Sequence, residues 1–251
     1  MDNQVKPNDH QQTVGVPLTE NDGAVKKYIG VIFEPSKAFK AIKSKPNFIF
    51  PLVIMMLLIG VKTYISLPYQ QQIELYSQKL MGMSADHPAL QNIQAQSLGT
   101  TILNAVIGIA LIVVGWLMMA GIARLFSMLF AGKGKFKQDL SVFANVYVFT
   151  LIGAVLSTVL LVVTGSPEKM NTNLSVLFPF LEETSFLFWI FNSINIFTLW
   201  GIIVAVIGIS IVEDIKKFQA CLIVVFPWLL SKILLAAYMA LFAIPMLEKI
   251  G

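Results

Sequence analysis

The chain has 251 residues, of which 56% are hydrophobic and only 13% charged, and its mean hydropathy is +0.74. A water-soluble domain would interrupt its apolar runs with polar residues at helical or strand period, so this composition excludes an ordinary soluble protein. The formal net charge of +4 favours anionic lipid over nucleic acid as a partner. A single cysteine, Cys221, excludes an internal disulfide and a thiolate metal cluster.

The first 23 residues are rich in Asn, Gln, Asp and Pro and contain no apolar segment of a signal peptide. Such a composition buries too little surface to fold, so residues 1–27 are expected to form a disordered cytoplasmic tail. Residues 28–247 are expected to form one membrane domain.

A short amphipathic helix is predicted to begin at Pro35. Its apolar arc carries Phe39 and Ile42, and its basic arc carries Lys37, Lys40 and Lys43. A helix of this kind lies flat on the membrane, with its apolar side in the bilayer and each lysine contributing about 1 kcal/mol on anionic lipid. The alternative is a solvated helix whose lysines have no role.

Five apolar stretches follow, and each is long enough to cross a bilayer as a helix, which takes about 20 residues for a hydrocarbon core of about 30 Å. The stretches are Phe48–Leu67, Ile102–Ala123, Leu140–Thr164, Phe186–Val212 and Cys221–Leu247. Because backbone groups must be satisfied internally in lipid, we expect an all-α integral membrane protein. The predicted fold is a five-transmembrane-helix bundle with a short N-terminal amphipathic interfacial helix.

The basic residues predict the orientation. With five spans, one side of the membrane receives Lys6, Lys26, Lys27, Lys37, Lys40, Lys43, Lys45, Arg124, Lys133, Lys135, Lys137, Lys216 and Lys217. The other side receives Lys79, Lys169 and Lys249, with Lys62 reaching toward it. Lysine and arginine favour the cytoplasmic side, so we expect a cytoplasmic N-terminus and a C-terminus outside.

Lys232 is a lysine near the middle of the fifth stretch, five residues after Pro227. Placing it at the bilayer centre costs about 2.5–3.5 kcal/mol on insertion scales. It either faces a polar cavity, where it binds an anionic group or carries a proton, or bonds to carbonyls loosened by the proline kink. The residues alone leave both interpretations open, with somewhat more weight on the structural one.

Other polar residues within the stretches are Asn145, Asn192 and Asn195, for which hydrogen bonds between helices are expected at about 0.6 kcal/mol each. Asn192 and Asn195 lie near one helix face. Arg124, at the end of the second stretch, is expected to reach phosphate headgroups.

Small residues also recur within the stretches. Gly153 precedes Ser157 by four residues, and Gly108 precedes Gly115 by seven. Such spacing places small side chains on one face and indicates close packing between helices.

Enzymatic chemistry finds no support in the sequence. No acidic residue lies inside the five stretches, and His10 and His87 are the two histidines of the chain. The segment GKGKF at residues 132–136 is too short to cradle a phosphate. We therefore expect no enzyme activity and no catalytic, cofactor-binding or metal-binding residue.

Three segments resemble the bacterial Yip domain, a family named for proteins that interact with Ypt/Rab GTPases. They are IFEPSKAFKAIKSKP at 32–46, GIARLFSMLFAGKGKFKQDLSVFANVYVF at 121–149 and FNSINIFTLWGIIVAVIGISIVEDIKKFQACLIVVFPWLL at 191–230. The resemblance implies five spans and a cytoplasmic N-terminus in the bacterial plasma membrane. The acidic and aromatic signature of the eukaryotic branch is absent, so GTPase binding is not implied.

The same resemblance implies a function. Some bacterial members of the family accompany ABC-type export systems, which implies a non-enzymatic accessory or organising subunit with ABC transporter components as partners. The alternatives are an autonomous solute transporter or channel that uses Lys232, Asn192 and Asn195, and a protein that organises lipid through its basic surface helix.

Overall fold

The computed structural model describes residues 22–80, 97–183 and 185–243, and these residues are mainly helical. In chain order the α-helices are Ala24–Phe33 (α1), Pro35–Ser44 (α2), Ile49–Ser66 (α3), Gln70–Leu80 (α4), Leu98–Leu129 (α5), Phe136–Val146 (α6), Val148–Thr164 (α7), Phe186–Asn192 (α8), Ile196–Glu213 (α9) and Lys217–Tyr238 (α10). Single 3₁₀ turns lie at Leu67–Tyr69, Pro167–Met170 and Leu174–Leu177, and a π-helical turn, Met239–Ala243, continues α10.

Five segments of the described chain are long and apolar enough to cross a membrane, which confirms the predicted fold class. They are α3 with its continuation α4, then α5, α6 with α7, α9, and α10 with the π-helical turn. Helices α6 and α7 act as one span because the backbone hydrogen bonds continue through Tyr147, which donates to Phe143 and accepts from Leu151. The multi-pass architecture follows from length and composition, as expected.

The predicted fourth span is too long. The stretch Phe186–Val212 breaks after α8 ends at Asn192, and α9 begins at Ile196. The side-chain oxygen of Asn195 accepts a hydrogen bond from the Phe197 N–H at 2.8 Å and so caps α9. An amide that serves as an N-cap stabilises a helix start, so only α9 has the length of a span.

Other span boundaries shift outward because polar first turns are built into the helices. Helix α6 begins four residues before its apolar stretch, and α10 likewise begins at Lys217. Gln138 and Gln219 each accept a hydrogen bond from the backbone N–H three residues earlier, at 2.7 and 2.9 Å. Each contact satisfies the backbone donor of the residue that precedes the helix. Residues 244–247 of the fifth predicted span lie outside the described residues.

The N-terminal helix α1 overlaps the predicted tail. Residues 1–21 of that tail lie outside the described part of the chain, but α1 begins at Ala24, so the last four residues are helical. Tyr28 packs edge-on against Phe50, with ring centroids 5.5 Å apart, and burial raises the pKa of Tyr28 to about 12. Its phenol is therefore neutral at physiological pH, as a buried position requires.

Helix α2 forms where it was predicted, but its apolar face packs on protein. Phe39 is 0% exposed and Ile42 1%, within a core shared with α6 and α9. Gly208 of α9 makes room for this contact, since a Cβ there would lie 2.6 Å from Val142 and 3.1 Å from the Phe39 ring. The predicted insertion of Phe39 and Ile42 into lipid is therefore wrong. Burying each of them stabilises the fold by about 1.5–3 kcal/mol, while Lys37 and Lys40 remain exposed.

Candidate functional site

The structure places a buried charge cluster, Arg124, Asp139 and Glu213, near the ends of α5, α6 and α9. Glu213, the last residue of α9, is fully buried, and its carboxylate oxygens lie 2.9 and 3.1 Å from Arg124 Nη1. Asp139, in the first turn of α6, is also fully buried and lies within reach of both charges. The end of the bundle that holds these residues is the charge-cluster end.

A glycine turn closes over the Glu213 carboxylate. The Gly134 N–H donates to Glu213 Oε2 at 2.8 Å, and the Lys133 N–H donates to the Glu213 carbonyl at 2.9 Å. A Cβ would lie 2.5 Å from Glu213 Oε2 at Gly132 and 2.7 Å from Glu213 Cδ at Gly134. Only glycine fits so close an approach. The segment GKGKF at residues 132–136, which is too short to bind a phosphate, thus binds the carboxylate of Glu213.

The two carboxylates of the cluster differ in their hydrogen bonding. Glu213 accepts from Arg124 and Gly134, whereas neither oxygen of Asp139 has a hydrogen-bond partner within the described residues. A buried carboxylate without partners is costly, while a paired and hydrogen-bonded one is tolerated. The Arg124–Glu213 ion pair therefore stabilises the cluster. Asp139 adds a buried carboxyl group that this pair does not compensate.

The predicted role of Arg124 is wrong. Its guanidinium is bonded to Glu213 and its side chain is only 24% exposed, so it is a structural ion-pair partner rather than a ligand for headgroups. Glu213 and Asp139 escaped the sequence analysis because they lie one residue outside the apolar stretches that end at Val212 and begin at Leu140. The sequence feature that indicated this site was the pair of glycines at 132 and 134, because glycine allows another group to approach the backbone closely.

Two other predicted residues hold the same end together. Lys43 donates to the Ile211 carbonyl at 2.9 Å and pairs with Asp214 at 3.2 Å, so it caps the C-terminus of α9. Asn145 donates to the Asn47 carbonyl at 2.9 Å and joins α6 to the connection between α2 and α3. Because these hydrogen bonds hold the Lys43 and Asn145 side chains against the backbone, neither side chain is well placed to bind a ligand.

At the opposite end of α9 lies an amide cluster, Asn171, Asn173, Asn192 and Asn195. The Asn192 side-chain oxygen accepts hydrogen bonds from Asn171, Asn173 and Ser175 at 3.1–3.4 Å. Asn195 donates to Thr172 and pairs its backbone with Asn173. The structure thus brings the two predicted asparagines together, and they fasten the break before α9 to the preceding loop. We name this end of the bundle the amide end.

Two cavities lie next to each other between the helices. One of about 430 Å³, the amide-end cavity, is walled partly by the amide cluster. The other, a groove of about 550 Å³ between α5 and α10, is walled by Lys232 and is referred to below as the lateral groove. Thr150 and Thr198 line both. Lys232 therefore lines a groove that adjoins the cavity of Asn192 and Asn195, whereas Arg124 and Asn145 line neither.

Within the described ranges, no group of three or more His, Cys, Asp or Glu side chains is placed to hold a metal ion. Among curated proteins and solved structures, none matches the chain significantly. The family model of the Yip1 domain, in contrast, matches residues 29–239, from α1 to the start of the π-helical turn. The match covers the first four spans of the described chain in full and the fifth as far as residue 239. The chain belongs to the Yip1 domain family.

Proposed function

We propose that the protein is a non-enzymatic accessory or organising subunit of a membrane complex, with an ABC-type export system as its partner. The observation that carries the proposal is a contrast between two sets of glycines in the spans. Those in α7 and α9 pack against neighbouring helices of the same chain, whereas a Cβ added at Gly60 in α3 or at Gly108, Gly115 or Gly121 in α5 would meet no atom within 4 Å.

The distances make the contrast clear. A Cβ at Gly153 would lie 2.9 Å from the Phe197 ring, and one at Gly201 would lie 3.4 Å from Val146. At Gly60, Gly108, Gly115 and Gly121, no atom would lie within 4 Å. The predicted packing face at Gly108 and Gly115 is thus unused within the described chain. Glycine lets a second helix approach closely in a membrane, so an open glycine such as Gly60 is suited to a partner.

The surface that we assign to the partner is a groove of about 300 Å³ between α3 and α5, the docking groove. Gly60 and Ala105 lie on its two sides among apolar side chains. Only 11% of the most apolar part of either helix is buried in the chain. Since lipid is as apolar as these side chains, a partner helix gains from close packing rather than from the hydrophobic effect. Small residues at the centre of the groove supply that packing.

The test is quantitative mass spectrometry of proteins that co-purify with the tagged full chain from native membranes in mild detergent. We expect an ABC permease and its ATPase to be enriched with the wild-type chain, and Gly60→Leu to abolish the enrichment. Gly121→Leu is the matched control, since it also enters open space but lies outside the docking groove. An equal loss in both variants, or no enriched membrane protein, would contradict the proposal.

A second candidate function is solute transport, and the junction of the two cavities at Thr150 and Thr198 favours it. A solute would pass between the amide-end cavity and the lateral groove beside Lys232. This candidate predicts that Lys232→Met abolishes flux into proteoliposomes while the protein still folds. Flux that is absent in the wild type, or unchanged in the variant, would eliminate it.

A further inference from the structure

The lateral groove has the form of a binding site for an amphiphile. Its walls come from α5 and α10 and its floor from α6, α7 and α9. It is open along one side, and its lining is almost wholly apolar. A volume of about 550 Å³ falls within the range of small-molecule sites, roughly 300–1,000 Å³. An occupant must therefore be mainly hydrocarbon.

One cation, Lys232, interrupts the apolar lining. It lies on the wall with no hydrogen-bond or ion-pair partner in the described part of the chain. Thr150, Thr198 and Ser231 are further polar residues of the lining. A lysine within a span is costly unless an anion accompanies it. The occupant must therefore carry a negative charge as well as hydrocarbon.

The position of Lys232 sets the direction of such a ligand. Lys232 follows Lys217 by fifteen residues, about 22 Å along α10 from the charge-cluster end. The groove continues from Lys232 back toward Ile122 and Val224, and both are apolar. On the other side, Thr150 and Thr198 join it to the amide-end cavity. The charged group therefore lies toward the amide end, and the hydrocarbon lies toward the charge-cluster end.

We propose that the lateral groove binds one glycerophospholipid with an anionic headgroup, drawn from the leaflet at the amide end. The phosphate pairs with Lys232, one acyl chain lies along the groove, and the rest of the headgroup enters the amide-end cavity. The amide-end cavity favours a phospholipid over a free fatty acid because its volume of about 430 Å³, next to the groove, leaves room for a headgroup larger than a carboxylate. The site is separate from the docking groove and does not depend on the accessory role.

The experiment uses the full chain in nanodiscs that contain equal amounts of phosphatidylglycerol and phosphatidylcholine. Native mass spectrometry counts the lipids that remain bound at matched activation. We expect one phosphatidylglycerol on the wild-type chain and about tenfold lower retention with Lys232→Met, the factor that corresponds to about 1.4 kcal/mol. Lys62→Met is the matched control, because Lys62 also lies in a span but lines a different groove. This control should retain phosphatidylglycerol as the wild type does.

A second variant tests the site without touching the charge. Gly115 lines the lateral groove, and a Cβ added there would meet no atom within 4 Å, so we expect Gly115→Leu to fill part of the groove without disturbing the fold. We expect this variant to lose phosphatidylglycerol. Gly121→Leu lies on the same helix about 120° away and should retain it. Gly60→Leu should also retain it, which separates this proposal from the partner interaction.

Three results would overturn the proposal. The first is equal retention of phosphatidylcholine and phosphatidylglycerol by the wild-type chain. The second is unchanged retention in both Lys232→Met and Gly115→Leu. The third is a co-purified fatty acid that occupies the groove and is not displaced by phosphatidylglycerol.

Discussion

At the scale of single residues, Glu213 joins parts of the chain that are far apart in sequence. Its carboxylate accepts hydrogen bonds from Arg124 in α5 and from the Gly134 N–H in the turn that leads to α6. Its backbone carbonyl accepts from Lys133. Asp139 lies in the same cluster and has no comparable support. Glu213 and Asp139 are equally buried, but only the Glu213 carboxylate makes hydrogen bonds that stabilise the fold.

The difference in hydrogen bonding between Glu213 and Asp139 predicts different effects of substitution at the two positions. Glu213→Gln removes the charge that balances Arg124, and we expect it to lower the free energy of unfolding by about 2–3 kcal/mol. That is below the roughly 3–5 kcal/mol typical of fully buried pairs, because the Arg124 side chain is 24% exposed. Asp139→Asn leaves the Arg124–Glu213 pair in place and replaces a buried carboxyl group that has no hydrogen-bond partner among the described residues, so we expect no loss of stability. Thermal unfolding in detergent measures both, and a greater loss for Asp139→Asn would contradict the assignment.

At the scale of elements, α9 organises the bundle through its two ends. Lys43 and the glycine turn hold its C-terminus, and Asn195 caps its N-terminus. The length of apolar stretches was sufficient to predict five spans because hydrocarbon demands continuous helices. It was insufficient at Asn195, where a side chain ends one helix and starts another. It also missed Glu213 and assigned Phe39 to lipid, since the partner against which a side chain is buried cannot be read from a local pattern in a single sequence.

The fastening of the fourth span to its loop predicts a selective effect at Asn195. Asn195→Ala removes the cap of α9 and the contacts to Thr172, so the loop at 166–178 should open more readily. We expect proteolytic cleavage there about fivefold faster, the factor for about 1 kcal/mol. Ser185→Ala is the control, because Ser185 caps α8 with a similar contact but does not bond to that loop. Equal acceleration in both variants would show that the link to the loop has no effect.

At the scale of the whole molecule, the two ends of the bundle are built differently. Helices α2, α6 and α9 share a dense core at the charge-cluster end, whereas one cavity lies at the amide end and the adjoining lateral groove runs between α5 and α10. Helices α3 and α5 leave most of their surface to the membrane. A cytoplasmic charge-cluster end remains a prediction from the basic residues. The arrangement suits a rigid scaffold that offers one face to a partner helix and another to lipid.

The most direct test of the accessory role is photocrosslinking in native membranes. A photoreactive amino acid replaces Ala105 in the docking groove and, in a control, Val163 of α7, which is 76% exposed. The account predicts a covalent adduct with an ABC permease from position 105 and none from position 163. The absence of a protein adduct at 105, or the same adducts at both positions, would contradict it.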